Sequence, residues 1–131
     1  MRIAAIVGES GSGKTTLVVS LIRHFVDRGE NVAAIKHTHH PLNLERRGDT
    51  AAFEAAGAEP VILAGNREAV IFTRDDARTI VFDAPDDLLA YIDADVVFVE
   101  GFKDFDAWPR ISPLKLEDAL DNLSRIWRIK R

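Results

Sequence analysis

An apolar run, RIAAIV from Arg2 to Val7, stops at the glycine-rich segment GESGSGKTT and gives way to helical periodicity. A short apolar run closing on glycine reads as a buried parallel strand. From Lys14 to Arg28, Leu17, Val18, Leu21, Ile22 and Phe25 recur at steps of three and four, with Gly29 where a C-terminal cap belongs. NVAAIK then follows as a second buried strand. Strand, helix and strand on short links form a βαβ unit, so the two strands are expected to run parallel.

Between that first strand and helix, Gly8, Gly13, Lys14 and Thr15 fill every fixed position of G-x-x-x-x-G-K-[ST]. Glycines let the backbone curl so that successive N–H groups point inward at phosphate oxygens, and the helix adds its positive N-terminal dipole. A lysine at this spacing reaches the β- and γ-phosphates, and the following hydroxyl can ligate Mg²⁺. Gly8, Glu9, Ser10, Gly11, Ser12, Gly13, Lys14, Thr15 and Thr16 are thus the candidate nucleotide-binding set, with Lys14 the candidate catalytic charge. The alternative, a plain Gly/Ser turn, does not account for the strand–loop–helix context.

Magnesium in such sites takes a second carboxylate from the end of a neighbouring apolar strand. Glu100, closing DVVFVE, is so placed; with Thr15 it forms the expected metal pair. Asp95 opens the same run and lies ~16 Å away at ~3.3 Å per residue, at the wrong end of the sheet. Asp49 is a further candidate, although it also suits the N-cap of a short helix, TAAFEAAGA.

The segment KHTHH leaves the second strand at its carboxyl end, where ligands of open α/β sheets gather. Lys36, His37, His39 and His40 there admit three readings: contacts to a bound anion, an imidazole metal site, or a polar loop. PVILAG, EAVIFT and TIVFD read as further strands, the last two joined by RDDAR as a hairpin. APDDLLAYI reads as a short helix. The chain closes on an amphipathic helix near LEDALDNLSRIWRI, with Arg128, Lys130 and Arg131 at its negative end. The expected architecture is α/β: a three-layer α/β/α P-loop NTPase fold, its mostly parallel sheet carrying an antiparallel edge hairpin.

Bulk properties bound the function. At 131 residues the whole chain, 1–131, is expected to form a single nucleotide-binding domain. Seventeen Lys and Arg against twenty-one Asp and Glu give a net charge of −4, which argues against a nucleic-acid binder. Without cysteine there is neither a disulfide framework nor a thiolate metal site. No run approaches the ~18 apolar residues of a membrane span, and none near the start forms a signal-peptide core. A soluble, cytoplasmic protein is expected.

GESGSGKTTL, IKHTHH, GDTAAFEAAGA, VFVEGFK and PRI stand in an order and spacing that resembles the molybdopterin-guanine dinucleotide biosynthesis adapter family, MobB. The likeness covers roughly Met1 to Ile111, and KHTHH followed by VEGFK is its most specific part. It implies a homodimer that binds GTP with Mg²⁺ and assists a MobA-like guanylyltransferase, with weak or partner-stimulated GTPase activity. It also implies that Lys36, His37, His39 and Asp49 line the cleft beside the loop, and that Glu100, Gly101 and Lys103 complete it. The chain departs from the family pattern after PRI. An apolar strand ending in Ser-Asp is replaced by SPLKLEDALDNL, and no N-K-x-D guanine reader occurs.

Two other functions fit the loop. A small-molecule kinase would need arginines in a lid over the phosphates, for which Arg46 and Arg47 are the candidates. A nucleotide-controlled metal-delivery protein would use the histidines instead.

Overall fold

The computed structural model describes residues 1–129. Its strands are β1 (Arg2–Ile6), β2 (Val32–His37), β3 (Val61–Ala64), β4 (Glu68–Phe72), β5 (Ala77–Val81), β6 (Val96–Glu100) and β7 (Arg110–Ile111). Its helices are α1 (Lys14–Asp27), α2 (Gly48–Ala56) and α3 (Leu116–Ile126), with a 3-10 helix over Pro85–Tyr91. All seven strands join one sheet in the order β5-β4-β3-β2-β6-β1-β7.

The βαβ expectation holds, with one strand inserted between its partners: β6 lies between β1 and β2 and runs parallel to both. Every residue of β6 is buried, as a central parallel strand covered on both faces must be. The register sets Glu100 beside Ile6 on one side and Lys36 on the other. The antiparallel edge is wider than a hairpin, because β4 is antiparallel to both β3 and β5. β7, only two residues long, extends the sheet beyond β1 and is too short to show any periodicity in sequence.

Side-chain alternation divides the sheet into two faces with separate cores. α1, α2 and α3 cover one face, meeting Ala4, Ile6, Ala34 and Phe98 with Leu17, Leu21, Phe53 and Leu120. Phe25, Phe98 and Trp127 form an aromatic cluster there. The Trp127 indole donates to the Ile3 carbonyl at 3.0 Å, fixing the end of α3 to β1. α3 stops at Ile126, and Arg128 turns left-handed with φ 56°. Lys130 and Arg131, expected at that helix end, lie outside the described residues.

The other face is covered more thinly, by the 3-10 helix and the 101–109 loop. Phe82, Leu88, Ile92, Phe102 and Trp108 pack there on Ile35, Ile62, Val97 and Val99. The segment read as APDDLLAYI is thus a 3-10 rather than an α-helix, its start pinned by the Asp87 carboxylate accepting from the N–H groups of Asp83 and Ala84. Among the described residues, no strand lies beyond β7 and no helix is long and apolar enough to cross a membrane.

Candidate functional site

The loop between β1 and α1 opens at the carboxyl end of the sheet. Gly13 occupies the N-cap position with φ 93°, a conformation that strains any residue bearing a Cβ. α1 has no side-chain cap and no acidic residue in its first turn. A helix start left so bare keeps its first N–H groups and its positive dipole for an outside partner, and an anion is the natural one. The Lys14 ammonium meanwhile donates to the Gly8 carbonyl at 2.7 Å, folded over the mouth of its own loop.

Beside the loop, three elements deliver oxygen atoms to one point. The Thr15 hydroxyl lies 2.9 Å from Glu100 Oε1 and 3.1 Å from Asp49 Oδ2. Lys36 Nζ bridges the same two oxygens, at 3.0 Å from Oε1 and 2.8 Å from Oδ2. Glu100 is only 3% exposed, and its second oxygen, Oε2, is buried without a hydrogen-bond partner. Asp49 does not cap α2, which begins at Gly48 with Arg47 as its N-cap; one position into the helix, Asp49 turns instead toward Lys36 and Thr15.

Burial alone would lower the Lys36 pKa, but the hydrogen bonds and charges of Asp49 and Glu100 outweigh it, and the net shift is upward. A hydroxyl and two carboxylates are the hard oxygen donors that Mg²⁺ prefers, and Glu100 Oε2, buried with no hydrogen-bond partner, leaves one carboxylate oxygen uncommitted. The residues present therefore fit the ion, with phosphate oxygens needed to complete its shell. Among the described residues, no group of three or more His, Asp or Glu is arranged to hold a metal by itself, so the imidazole metal site gains no support.

Alternation along β2 sends Lys36 to the α1 side and His37 to the opposite face. His37 there stacks on Phe102, with ring centroids 4.1 Å apart and planes 8° apart, and meets His39 edge-on at 4.8 Å. Its Nε2 is 3.1 Å from Asn66 Oδ1. Burial, then the neighbouring His39 and Lys36 charges, hold the imidazole below its ordinary pKa against the opposing pulls of Asn66 and Asp104. With Gly101 and Lys103 it lines a cavity of about 700 Å³ on the far side of Lys14.

The expected cleft residues therefore fall into two groups. Lys36, Asp49, Glu100, Thr15 and Thr16 share a pocket with Ser10, Gly11, Gly13 and Lys14. His37, His39, Gly101 and Lys103 line the larger cavity with Gly8, Glu9, Ser10 and Lys14. Lys36 engages the two carboxylates rather than standing free toward an anion. His40 is exposed and lines neither hollow; its backbone N–H donates to the Thr38 hydroxyl. Arg46, which a kinase lid would require, is committed elsewhere: it pairs with Glu54 and donates to the carbonyls of Thr73 and Asp76 at 2.6 and 2.8 Å. Sequence reasoning missed Asn66, Phe82, Phe102 and Phe105, whose convergence depends on long-range sheet order and carries no local signal.

A family model described as "Molybdopterin guanine dinucleotide synthesis protein B" matches residues 3–124. The chain belongs to that family. A molybdopterin-guanine dinucleotide biosynthesis adapter protein of Haemophilus influenzae is 36% identical over 102 residues, covering 77% of this chain and 57% of the relative. A putative protein of the same description from Methanocaldococcus jannaschii is 34% identical over 106 residues, covering 79% of this chain and 42% of the relative. The chain thus spans about half the length of these MobB relatives. The crystal structure of Bacillus subtilis MobB superposes with a TM-score of 0.53 at 21% identity, covering 93% of this chain and 73% of that one, which supports the fold.

Two outcomes follow from the charges of the site. Lys36→Met leaves Glu100 and Asp49 without their cation. It is expected to lower unfolding free energy in urea by roughly 3 kcal/mol, the low end for a broken buried pair because Asp49 keeps contact with water. A loss within experimental error would show that the ammonium is not balancing them. For His37, a folded pKa below the ordinary 6.5 means that stability is complete above that value and is lost as pH falls through and below it. Urea midpoints from pH 7.5 to 5 should therefore fall more for the native chain than for His37→Gln, and parallel curves would refute the shift.

Proposed function

We propose that this chain is the nucleotide-binding part of an adapter in molybdopterin guanine dinucleotide assembly, taking GTP and Mg²⁺ at the loop Gly8–Thr16. The convergence of Thr15, Asp49 and Glu100 beside an uncapped helix start carries this reading, because it joins an anion site to a cation site. The loop amides and Lys14 would hold the phosphates, while Thr15, Glu100 and Asp49 would hold the metal. When bound, Mg²⁺ would neutralise charge on the phosphate oxygens.

Turnover by the isolated chain would be slow. Lys14 can stabilise charge on a transferring phosphoryl group. Arg46 is turned away from the site, and His37 faces the other side of the sheet from the carboxylates. A protein that holds its nucleotide without rapidly consuming it suits an accessory role beside a MobA-like guanylyltransferase. From the motif resemblance and the bulk sequence, and not from the family names, we also propose that the adapter works as a homodimer in the cytoplasm. Guanine selectivity is part of the proposal and rests on those names alone.

Calorimetry tests the reading. GTP should bind with Mg²⁺ and lose at least about tenfold in affinity in Lys14→Ala, while ATP binds at least about tenfold more weakly than GTP. Equal affinity for the two nucleotides would remove the guanine preference. Undiminished binding to Lys14→Ala would remove the phosphate loop as the site.

A further inference from the structure

The nucleotide reading uses only one of two hollows at the carboxyl ends of the strands. The loop's later residues, both threonines and the carboxylate pair face a pocket of about 390 Å³. The larger cavity, about 700 Å³, meets the loop only through Gly8 to Ser10 and Lys14. That size suits a small organic ligand. A triphosphate laid along the loop amides brings its terminal group to Lys14, which with Ser10 lines both hollows. The larger cavity therefore opens opposite that terminal phosphate, at the other end of the triphosphate from the base.

Its walls combine aromatic surface with polar groups of both signs. Phe82, Phe102 and Phe105 line it, and the His37 ring lies flat on Phe102. This platform is built against backbone preference. Phe102 has φ 54°, a region bulky residues seldom enter. Gly101 before it has φ 103°, and a Cβ there would stand 2.8 Å from the His37 Cβ. Two successive left-handed residues bring the chain off β6 hard against β2 and turn the Phe102 ring onto His37. Strain of this kind persists where the surroundings enforce it, and it concentrates at ligand clamps. Glu9 and Asp104 add carboxylates to the wall, while Lys103 and His39 stand exposed beside them.

We propose that this cavity binds a second ligand, a fused aminopyrimidinone ring carrying an anionic group, alongside the nucleotide. Ring faces stack on Phe105 and the Phe102–His37 pair. The adjacent N–H donors of the ring edge match a carboxylate such as Asp104, and the anionic substituent meets Lys103 and His39. Pterins and guanine share that edge, so a separate pterin and the nucleotide's own base are the two possible sources. The triphosphate path favours the separate molecule. The proposal rests on nucleotide binding at the loop and adds a second site to it.

Fluorescence titration with pterin-6-carboxylate, on the free chain and on the chain saturated with Mg²⁺ and a non-hydrolysable GTP analogue, tests this. Saturable quenching should appear and persist with the analogue bound. Phe105→Ala and Asp104→Asn, both at partly or fully exposed positions, should each weaken the pterin about tenfold and leave analogue affinity unchanged. Displacement of the pterin by the analogue would assign the cavity to the nucleotide base instead. Absence of quenching at millimolar probe, or indifference to both substitutions, would overturn the site outright. Failure of the analogue itself to bind, read separately by calorimetry, would strike the nucleotide reading and not the cavity.

Discussion

A carboxylate that is 3% exposed at the end of a central strand has to be balanced by a cation, and much of the structure around Glu100 is arranged to supply one. The parallel register of β2 on β6 brings Lys36 alongside it. The first turn of α2 brings Asp49 to the same ammonium, and α1 brings the Thr15 hydroxyl. Four side chains from four elements thus close a ring in which Lys36 Nζ and Thr15 Oγ1 both bridge Asp49 Oδ2 and Glu100 Oε1. Lys36 occupies carboxylate oxygens that a metal ion would also use. The protein carries its own counter-ion, so Glu100 can be buried without a ligand, and on the proposed nucleotide reading the two acids would still attract a divalent cation when phosphate arrives.

The two-residue period of a strand turns that ring into half of a larger arrangement. Lys36 faces the α1 side, and His37, one position on, faces the side covered by the 101–109 loop. Glu100 and Gly101 make the same division at the end of β6, the acid entering the charged ring and the glycine letting the chain pass against His37. Lys14 stands between the two hollows and lines both. A phosphate-bearing ligand at the loop would therefore be in contact with chemistry on both faces of the sheet.

Much of this could be read from the chain directly. The buried run before Gly8, the stripe from Leu17 to Phe25 and the strand DVVFVE closing on an acid are local patterns, and each element is where it was expected. Asp49 was ambiguous because a first-turn acid serves equally as a cap or as a ligand, and only the structure shows its carboxylate paired with Lys36 instead of capping the helix. The insertion of β6 between β1 and β2 brings Glu100 to Thr15, 85 positions apart, and no local pattern encodes that. The aromatic platform was hidden for the same reason, compounded by the unusual φ of Phe102, which no propensity would suggest. β7 was invisible because two residues carry no period, although the sheet needs it to cover the outer edge of β1.

The most direct measurement of the central claim is an amide proton–nitrogen correlation spectrum of the labelled chain, titrated with Mg²⁺ and a non-hydrolysable GTP analogue. The amides from Gly11 to Thr16 should show the largest shifts, accompanied by Lys36, Asp49 and Glu100 as the charged ring rearranges. Saturation of the nucleotide with those amides unmoved, and the shifts gathered on another surface, would contradict the account.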